Sequence, residues 1–205
     1  MNKPAVIKAI ISDLGRVFVD FDHDKSCGKL AKLAGCDIED VYDFIYRSKT
    51  DIKLDRGELA PGAFYKRVVE HFKLKLTYQE FRYIFGNIFT LKKPVYRLYL
   101  KLKKHGYKVV FLSNTNVIHF EHCAKKFPMK KVFSGGIRSD KEGLMKPHPR
   151  LYLRAAALTH CKPEECVFID DIYEYVDAAR AVGLKGIQFK SAGQLVRDLK
   201  KLGVR

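Results

Sequence analysis

Short apolar runs alternate with stretches of helical periodicity along most of this chain. Three runs rich in Val, Ile and Phe stop at polar residues, and they lie at residues 6–11, 109–112 and 167–169. Such runs are typical of buried parallel strands. Helical spacing predicts helices at residues 94–105, 149–159 and 172–182, then a strand at 186–189 and a helix at 192–202. The alternation predicts an α/β fold with a parallel sheet covered on both faces.

Residues 22–92 interrupt this rhythm with successive helical patterns and no convincing strand. Apolar side chains recur there about every four residues, at Phe64, Val68 and Phe72 and again at Tyr78, Phe81, Phe85 and Ile88. No flexible Gly/Ser linker separates this stretch from its neighbours. We therefore predict a core domain of residues 1–21 and 93–205, with a closely packed helical insertion at residues 22–92.

The composition indicates a folded, core-forming protein, since 47% of the residues are hydrophobic and 30% are charged. The 39 Lys and Arg residues exceed the 23 Asp and Glu residues, giving a net charge of +16. The basic residues are scattered, so a nucleic-acid partner is not expected; a general bias towards Lys explains the charge, and steering of an anionic substrate is the alternative interpretation. The five cysteines form no Cys-x-x-Cys pair, and no apolar run is long enough to cross a membrane. We expect a reduced, cytoplasmic protein without membrane association.

Polar residues follow each of the three strongest predicted strands. Asp13, Ser113 and the Asp170-Asp171 pair lie there, and ligands of open α/β sheets bind beyond the carboxyl ends of strands. Taken singly, each could shape a turn or cap a helix. Taken together with Lys146, they offer hard oxygen ligands for Mg²⁺, a hydroxyl for phosphate oxygens and a compact positive charge. This combination favours chemistry on a phosphorylated substrate.

Four segments of the chain are similar, in order, to the motifs of the haloacid dehalogenase superfamily. They read IISDLGRVFVDFD, VVFLSNTN, LMKPHPRLY and VFIDD. The resemblance covers nearly the whole length, and it implies a three-layer, Rossmann-like core with residues 22–92 as a small helical cap. It is closest to small bacterial sugar-phosphate phosphatases of the α-D-glucose-1-phosphate phosphatase type. It therefore implies a cytoplasmic, monomeric or dimeric hydrolase that acts on a small phosphorylated metabolite.

The resemblance implies a Mg²⁺ site and a nucleophile around the first and fourth motifs. Asp13 corresponds to the residue that forms an aspartyl-phosphate in the family. The carbonyl of Gly15 and the carboxylates of Asp13, Asp170 and Asp171 correspond to metal ligands or groups that hold a metal-bound water.

The resemblance also implies which residues bind substrate. Ser113 with Asn114 corresponds to the pair that binds the transferred phosphoryl group, and Lys146 to the cation that stabilises the nucleophile and the developing charge. Arg16, directly after Gly15, and Arg47, in the cap, are further candidates for substrate binding. Surface exposure explains each of these two arginines equally well.

Gly15 departs from the phosphatase pattern, which has a second Asp two residues after the nucleophile. That Asp protonates the leaving group, so its absence implies a slower reaction or an easy leaving group such as an anomeric phosphate. Asp20 and Asp22 could substitute through water, although turn formation is the simpler interpretation. Two other functions stay open: a haloacid dehalogenase, which needs no Mg²⁺, and a catalytically silent binding protein.

One further group of residues contains the side-chain types that bind transition metals. His119, His122 and Cys123 share a face of a predicted helix, but three ligands without a fourth make a weak zinc signal. A helix with one buried and one exposed face is the preferred interpretation.

Overall fold

The computed structural model describes residues 5–205, so the first four residues of the predicted core segment lie outside it. Five parallel strands form the main sheet, in the order β5-β4-β1-β6-β7, and two more form an antiparallel ribbon. The strands are β1 (Ala9–Ser12), β2 (Val19–Phe21), β3 (Phe89–Leu91), β4 (Lys108–Ser113), β5 (Gly136–Arg138), β6 (Cys166–Asp170) and β7 (Lys185–Gln188).

Helices cover the sheet and fill the segment between the ribbon strands. The first group is α1 (Asp24–Ala34), α2 (Ile38–Tyr42) with a π-helical extension (Asp43–Arg47), α3 (Thr50–Asp55), α4 (Pro61–His71) and α5 (Tyr78–Gly86). The second group is α6 (Lys93–Lys104), α7 (Val117–Lys126), α8 (Met129–Val132), α9 (Ser139–Glu142), α10 (Pro149–Leu158), α11 (Tyr173–Ala181) and α12 (Ala192–Lys201). A 3₁₀ turn over Pro163–Glu165 precedes β6.

The central strand β1 is buried along its whole length and packs on two separate cores. Ile10 faces a cluster that includes Tyr99 of α6 and Leu195 of α12. Ile11 faces a second cluster that includes Tyr152 of α10. Alternate strand residues point to opposite faces, so both faces need a helical cover. The predicted three-layer α/β core is confirmed, and the predicted strands and helices of the core agree with the observed ones to within a few residues.

The helices between residues 24 and 86 pack around a third core. Phe64, Val68, Phe81 and Phe85 are fully buried in it, as the four-residue spacing predicts. Ile88 continues the same spacing in the sequence, yet its side chain packs in the sheet-domain cluster instead. The chain therefore returns to the sheet domain just after α5.

The expectation of no strand in residues 22–92 is wrong. Phe89–Leu91 forms β3 and pairs antiparallel with β2, with Phe21 opposite Phe89 and Val19 opposite Leu91. Three residues are too few to show strand periodicity, and the partner strand lies some 70 positions earlier in the chain. The ribbon joins the two ends of the helical segment.

Two sequence expectations concern features outside the sheet. Within residues 5–205, no helix has the length and apolar character that crossing a bilayer requires. All five cysteines are free thiols in the structure, as the spacing predicts.

Candidate active site

Two neighbouring strands bring three carboxylates together. β1 lies between β4 and β6, so Asp13 directly follows the central strand while Asp170 and Asp171 lie at the end of β6. One carboxylate oxygen from each of Asp13, Asp170 and Asp171 lies within 4.8 Å of the others. Ser113, the last residue of β4, is buried at the same sheet edge. The convergence predicted from the strand ends is therefore observed.

Lys146 lies between two of these carboxylates. Its Nζ is 2.6 Å from Oδ2 of Asp170 and 2.9 Å from Oδ1 of Asp13, and 1% of its side chain is exposed. Burial alone lowers the pKa of the lysine, but the charges of the two carboxylates outweigh burial and raise that pKa. Lys146 is therefore a fixed cation at neutral pH.

Asn114 holds the backbone of Lys146 in place. Its amide oxygen accepts a hydrogen bond from the N–H of Lys146 at 2.8 Å, and its Nδ2 donates to the carbonyl of Lys146 at 3.2 Å. These bonds use the side-chain amide that the sequence analysis assigned to phosphate binding. The geometry gives Asn114 a positioning role, because it sets the lysine that reaches the carboxylates.

The carboxylate cluster fits a hard divalent cation. Oδ1 of Asp13 is buried and lies 2.9 Å from Nζ of Lys146, and the two lone pairs of this oxygen leave one free for a cation. Burial, together with the charge of Asp13, raises the pKa of Asp171. Burial likewise raises the pKa of Asp170, against the opposing effect of Lys146. Carboxylates crowded in this way are stabilised by a metal such as Mg²⁺, which prefers oxygen ligands.

Phe21 fills the space beside Gly15. The carbonyl of Gly15 accepts the N–H of Val17 at 2.6 Å, which forms a tight turn. A Cβ added at Gly15 would lie 3.8 Å from Oδ2 of Asp13 and 3.1 Å from the Phe21 ring. The guanidinium of the exposed Arg16 lies over the same ring, 4.3 Å from its centroid. A side chain at position 15 would therefore extend beside Asp13 and contact the Phe21 ring.

A cavity of about 140 Å³ lies between these strand ends and the helical segment. Backbone and side chains of Leu14, Gly15, Ser113 and Asn114 form its floor. Four side chains in its lining carry buried polar atoms, and they belong to His23, Tyr46, Asp51 and His119. A polar ligand in this cavity would therefore meet several hydrogen-bonding groups.

Asp55 is a cavity residue to which the sequence analysis assigned no role. It ends α3, lines the cavity and accepts a hydrogen bond from Nδ2 of Asn116 at 2.7 Å. Burial raises the pKa of Asp55 to about 7, and the bond from Asn116 only partly opposes this. The sequence carries little indication of the contact between Asp55 and Asn116, because these residues are 61 positions apart.

Arg47, in the predicted cap segment, does not line the cavity. Arg47 is 60% exposed and forms ion pairs with Glu39, at 2.9 Å, and with Asp43. It is absent from the cavity lining within the described chain. The prediction that Arg47 binds substrate is therefore not supported by its position. Its four-residue spacing to Asp43 on the helix surface is sufficient to explain the pairing.

His119, His122 and Cys123 do not form a metal cluster. The Asp13, Asp170 and Asp171 group is the only set of three or more metal-ligating side chains found in residues 5–205. His119 instead stacks on Phe85, and Asn116 caps its backbone N–H. The preferred interpretation of a partly buried helix is consistent with this arrangement.

Comparisons with known proteins agree with this geometry. A family model described as haloacid dehalogenase-like hydrolase matches residues 7–183. The chain is 27% identical to glyceraldehyde 3-phosphate phosphatase of Pyrococcus furiosus, over 94% of this chain and 75% of that protein. It is 28% identical to D-ribitol-5-phosphate phosphatase of Bacteroides thetaiotaomicron, over 95% of this chain and 97% of that protein.

Solved structures share the fold at lower identity. A HAD family enzyme from Bacteroides thetaiotaomicron, complexed with magnesium and inorganic phosphate, has a TM-score of 0.77 at 22% identity, over 90% of this chain and 94% of that one. An L-2-haloacid dehalogenase has a TM-score of 0.61 at 21% identity, over 88% of this chain and 83% of that one. Motifs, fold and family model agree: the chain belongs to the haloacid dehalogenase-like hydrolases.

Proposed function

We propose that the protein is a Mg²⁺-dependent phosphomonoester hydrolase in which Asp13 is the nucleophile. The observation that carries this proposal is the cluster of Asp13, Asp170 and Asp171, with carboxylate oxygens within 4.8 Å of one another and Lys146 between two of them. The phosphatases similar in sequence give it independent support.

Each residue of the cluster has a task in phosphoryl transfer. Oδ of Asp13 attacks phosphorus, and an aspartyl-phosphate forms as the bond to the leaving oxygen breaks. Lys146 offsets the negative charge of Asp13 and stabilises the negative charge on the transferred group. The hydroxyl of Ser113 binds a phosphoryl oxygen at the end of β4. Mg²⁺ held by Asp13, Asp170, Asp171 and the carbonyl of Gly15 would neutralise phosphate charge and allow an anionic nucleophile to approach.

The cavity lining indicates the class of leaving group. In the described part of the chain it contains the carboxylates Asp51 and Asp55 but neither Lys nor Arg. A second phosphate or a carboxylate on the substrate would find no cationic partner there, whereas hydroxyl groups would pair with the polar atoms of the lining. We therefore propose a small, uncharged polyhydroxy leaving group, as in a sugar or polyol phosphate.

Two segments of the chain contribute to that cavity. Residues 22–92 provide His23, Tyr46 and Asp55, and the core segments provide Ser113 and Asn116. We propose that residues 22–92 act as a cap that closes over a core of residues 1–21 and 93–205, which excludes water during transfer. The protein would then be a cytoplasmic enzyme with a small phosphorylated metabolite as its partner.

Phosphate release tests the proposal. The wild type should release inorganic phosphate from p-nitrophenyl phosphate and ribitol 5-phosphate with Mg²⁺, and EDTA or Asp13→Asn should abolish release. Metal-independent chloride release from 2-chloropropionate would instead show a haloacid dehalogenase. A folded, Mg²⁺-loaded protein that turns over neither class would have to be a binding protein.

A further inference from the structure

We propose that Asp55 is the proton donor to the leaving group, the task for which Gly15 has no side chain. This inference rests on the phosphatase function proposed above. Asp55 lines the same cavity as Gly15 and Ser113, at the C-terminal end of α3. It would replace an acid carried by the core with one carried by the cap segment.

In-line transfer places the leaving oxygen on the cavity side. The attacking and leaving oxygens lie roughly opposite each other on phosphorus. Asp13 stands at the sheet edge with Lys146, so the leaving oxygen must point away from the strand ends. The cavity lined by Gly15 and Ser113 offers space for the leaving group, and its lining also includes Asp51 and Asp55 of α3.

Two hydrogen bonds fix Asp55 over the phosphate-binding loop. Nδ2 of Asn116 donates to Oδ1 of Asp55 at 2.7 Å, and the hydroxyl of Ser139 donates to the Asp55 carbonyl at 2.5 Å. Ser139 Oγ also accepts the N–H of Thr115, two residues after Ser113. Asp55 is thus tied to the loop that would hold the phosphoryl group. Asp51 lies about one helical turn before Asp55 in α3.

The other acidic groups nearby are less suited to the task. Asp20 is ion-paired with Lys92 at 2.7 Å, and Asp22 accepts the N–H of Asp24 at 3.1 Å. Neither lines the cavity in the part of the chain that the structure describes. Asp22 serves the turn into α1, as the simpler interpretation of the sequence expected, whereas Asp20 lies in β2.

The uncharged cavity residues are poor acids. Burial and the charge of Arg16 lower the pKa of His23, so this imidazole is neutral at pH 7. Burial raises the pKa of Tyr46, which holds its proton tightly. Neither group readily gives up a proton at neutral pH.

Charge and burial around Asp55 favour a carboxyl group that can carry a proton. Asp51 on the same helix and Asp140 on α9 add negative charge, although Arg138 pairs with Asp140. Together with burial they raise the pKa of Asp55 to about 7. A general acid works best when its pKa lies near the working pH.

The proton balance closes over the two steps. In the first, Asp13 bonds to phosphorus, the ester P–O bond breaks, and its electron pair takes the proton of Asp55, releasing the alcohol. In the second, ionised Asp55 accepts a proton from the attacking water. The aspartyl-phosphate P–O bond then breaks, which yields hydrogen phosphate and restores Asp13 as a carboxylate and Asp55 as an acid.

A series of substituted phenyl phosphates tests the assignment, because the leaving groups share a shape but differ in pKa. Asp55→Asn keeps an acceptor for Asn116, and Asp51→Asn is the matched variant one turn away. We expect Asp55→Asn to reduce kcat/KM for phenyl phosphate about 100-fold or more, and for p-nitrophenyl phosphate much less. The dependence of log kcat/KM on leaving-group pKa should steepen only in Asp55→Asn.

A uniform loss across the series in Asp55→Asn would overturn the proposal and leave Asp55 as a structural link to Asn116. A wild type without Mg²⁺-dependent turnover would instead overturn the proposed function. Adding Gly15→Asp to Asp55→Asn gives a second readout, since this carboxyl would emerge next to the nucleophile. We expect it to restore the shallow leaving-group dependence, because the Phe21 ring, 3.1 Å from the added Cβ, needs to shift by only a few tenths of an ångström.

Discussion

At the scale of single residues, Lys146 makes the carboxylate cluster possible. Burying several carboxylates without a counter-charge is costly, and the mutual repulsion of Asp13 and Asp170 adds to that cost. The Nζ of Lys146 lies within 2.9 Å of an oxygen from each. The lysine therefore contributes to the stability of the fold as well as to the proposed chemistry.

Replacing Lys146 by Met should reduce both stability and turnover. Removing one partner from a buried charge pair costs about 3–5 kcal/mol, because the other charge is left uncompensated. Urea unfolding in EDTA measures this loss. Lys201→Met is the control, since this lysine is 77% exposed and solvent screens its ion pair with Asp198. Equal losses in the two variants would contradict the assigned role of Lys146.

The pKa of Asp55 predicts a pH-dependent gain in stability for Asp55→Asn. Burial raises that pKa from 3.8 to about 7, so the folded wild type loses stability as pH rises from about 4 through 7. Asparagine does not ionise, so the melting temperature of the variant relative to the wild type should increase by about 4 °C or more between pH 4.5 and pH 8. A constant difference over this range would show that the carboxyl is not desolvated.

Sequence could predict the residues at the strand ends but not those that the cap contributes. Asp13, Ser113 and Asp170 follow apolar strands, and the parallel order of those strands brings them together. Asp55 ends a helix of six residues, and its partner Asn116 lies far away in the chain. Only the folded structure shows that contact.

At the scale of elements, the end of α3 must fit closely against α9. Gly57 follows α3 with a φ of +73°, and a Cβ at this position would overlap the carbonyl oxygen of Asp140. The glycine thus permits both the left-handed turn and the close approach of two backbones. This contact helps to set the position of Asp55.

Gly57→Ala should therefore reduce stability and turnover more than a matched substitution does. Gly35 has a nearly identical φ of +71° but no atom within 4 Å of an added Cβ. Gly35→Ala should cost about 1 kcal/mol from backbone strain alone, with turnover unchanged. Gly57→Ala should cost more, as the clash displaces α3. Thermal unfolding and phosphate release compare the two, and equal effects would argue against close docking.

Long elements were predictable and short ones were not. The strands β1, β4 and β6 and their helices follow from apolar runs and helical spacing. β2, β3 and β5 have three residues each, and their pairing depends on the fold that surrounds them. The sequence therefore did not predict β2, β3 or β5, although it predicted the helices between residues 24 and 86.

At the scale of the whole molecule, the net charge is positive, whereas the cavity lining in the described residues holds no Lys or Arg. The net charge is +16, while the titratable groups that line the cavity include two carboxylates and no cation within residues 5–205. Attraction of a phosphorylated substrate must therefore come from the general positive field and from Lys146, and recognition of the leaving group from uncharged hydrogen bonds. This separation suits a substrate with one anionic end.

Salt should accordingly weaken substrate capture more than chemistry. Raising NaCl from about 20 mM to about 500 mM shortens the Debye length severalfold, so kcat/KM for ribitol 5-phosphate should fall while kcat stays nearly constant. Steady-state kinetics at saturating Mg²⁺ measure both, with sucrose as a control for viscosity. If kcat/KM did not change with salt, the surface charge would have no role in steering the substrate.

The most direct test of the central claim is a search for the phosphoryl group on Asp13. The Mg²⁺-loaded protein would be mixed with p-nitrophenyl phosphate, quenched in acid within the first turnover and digested for mass spectrometry. We predict that the peptide containing Asp13 gains the mass of one phosphoryl group, and that Asp13→Asn does not. Release of phosphate with an unmodified Asp13 peptide throughout the first turnover would contradict the account.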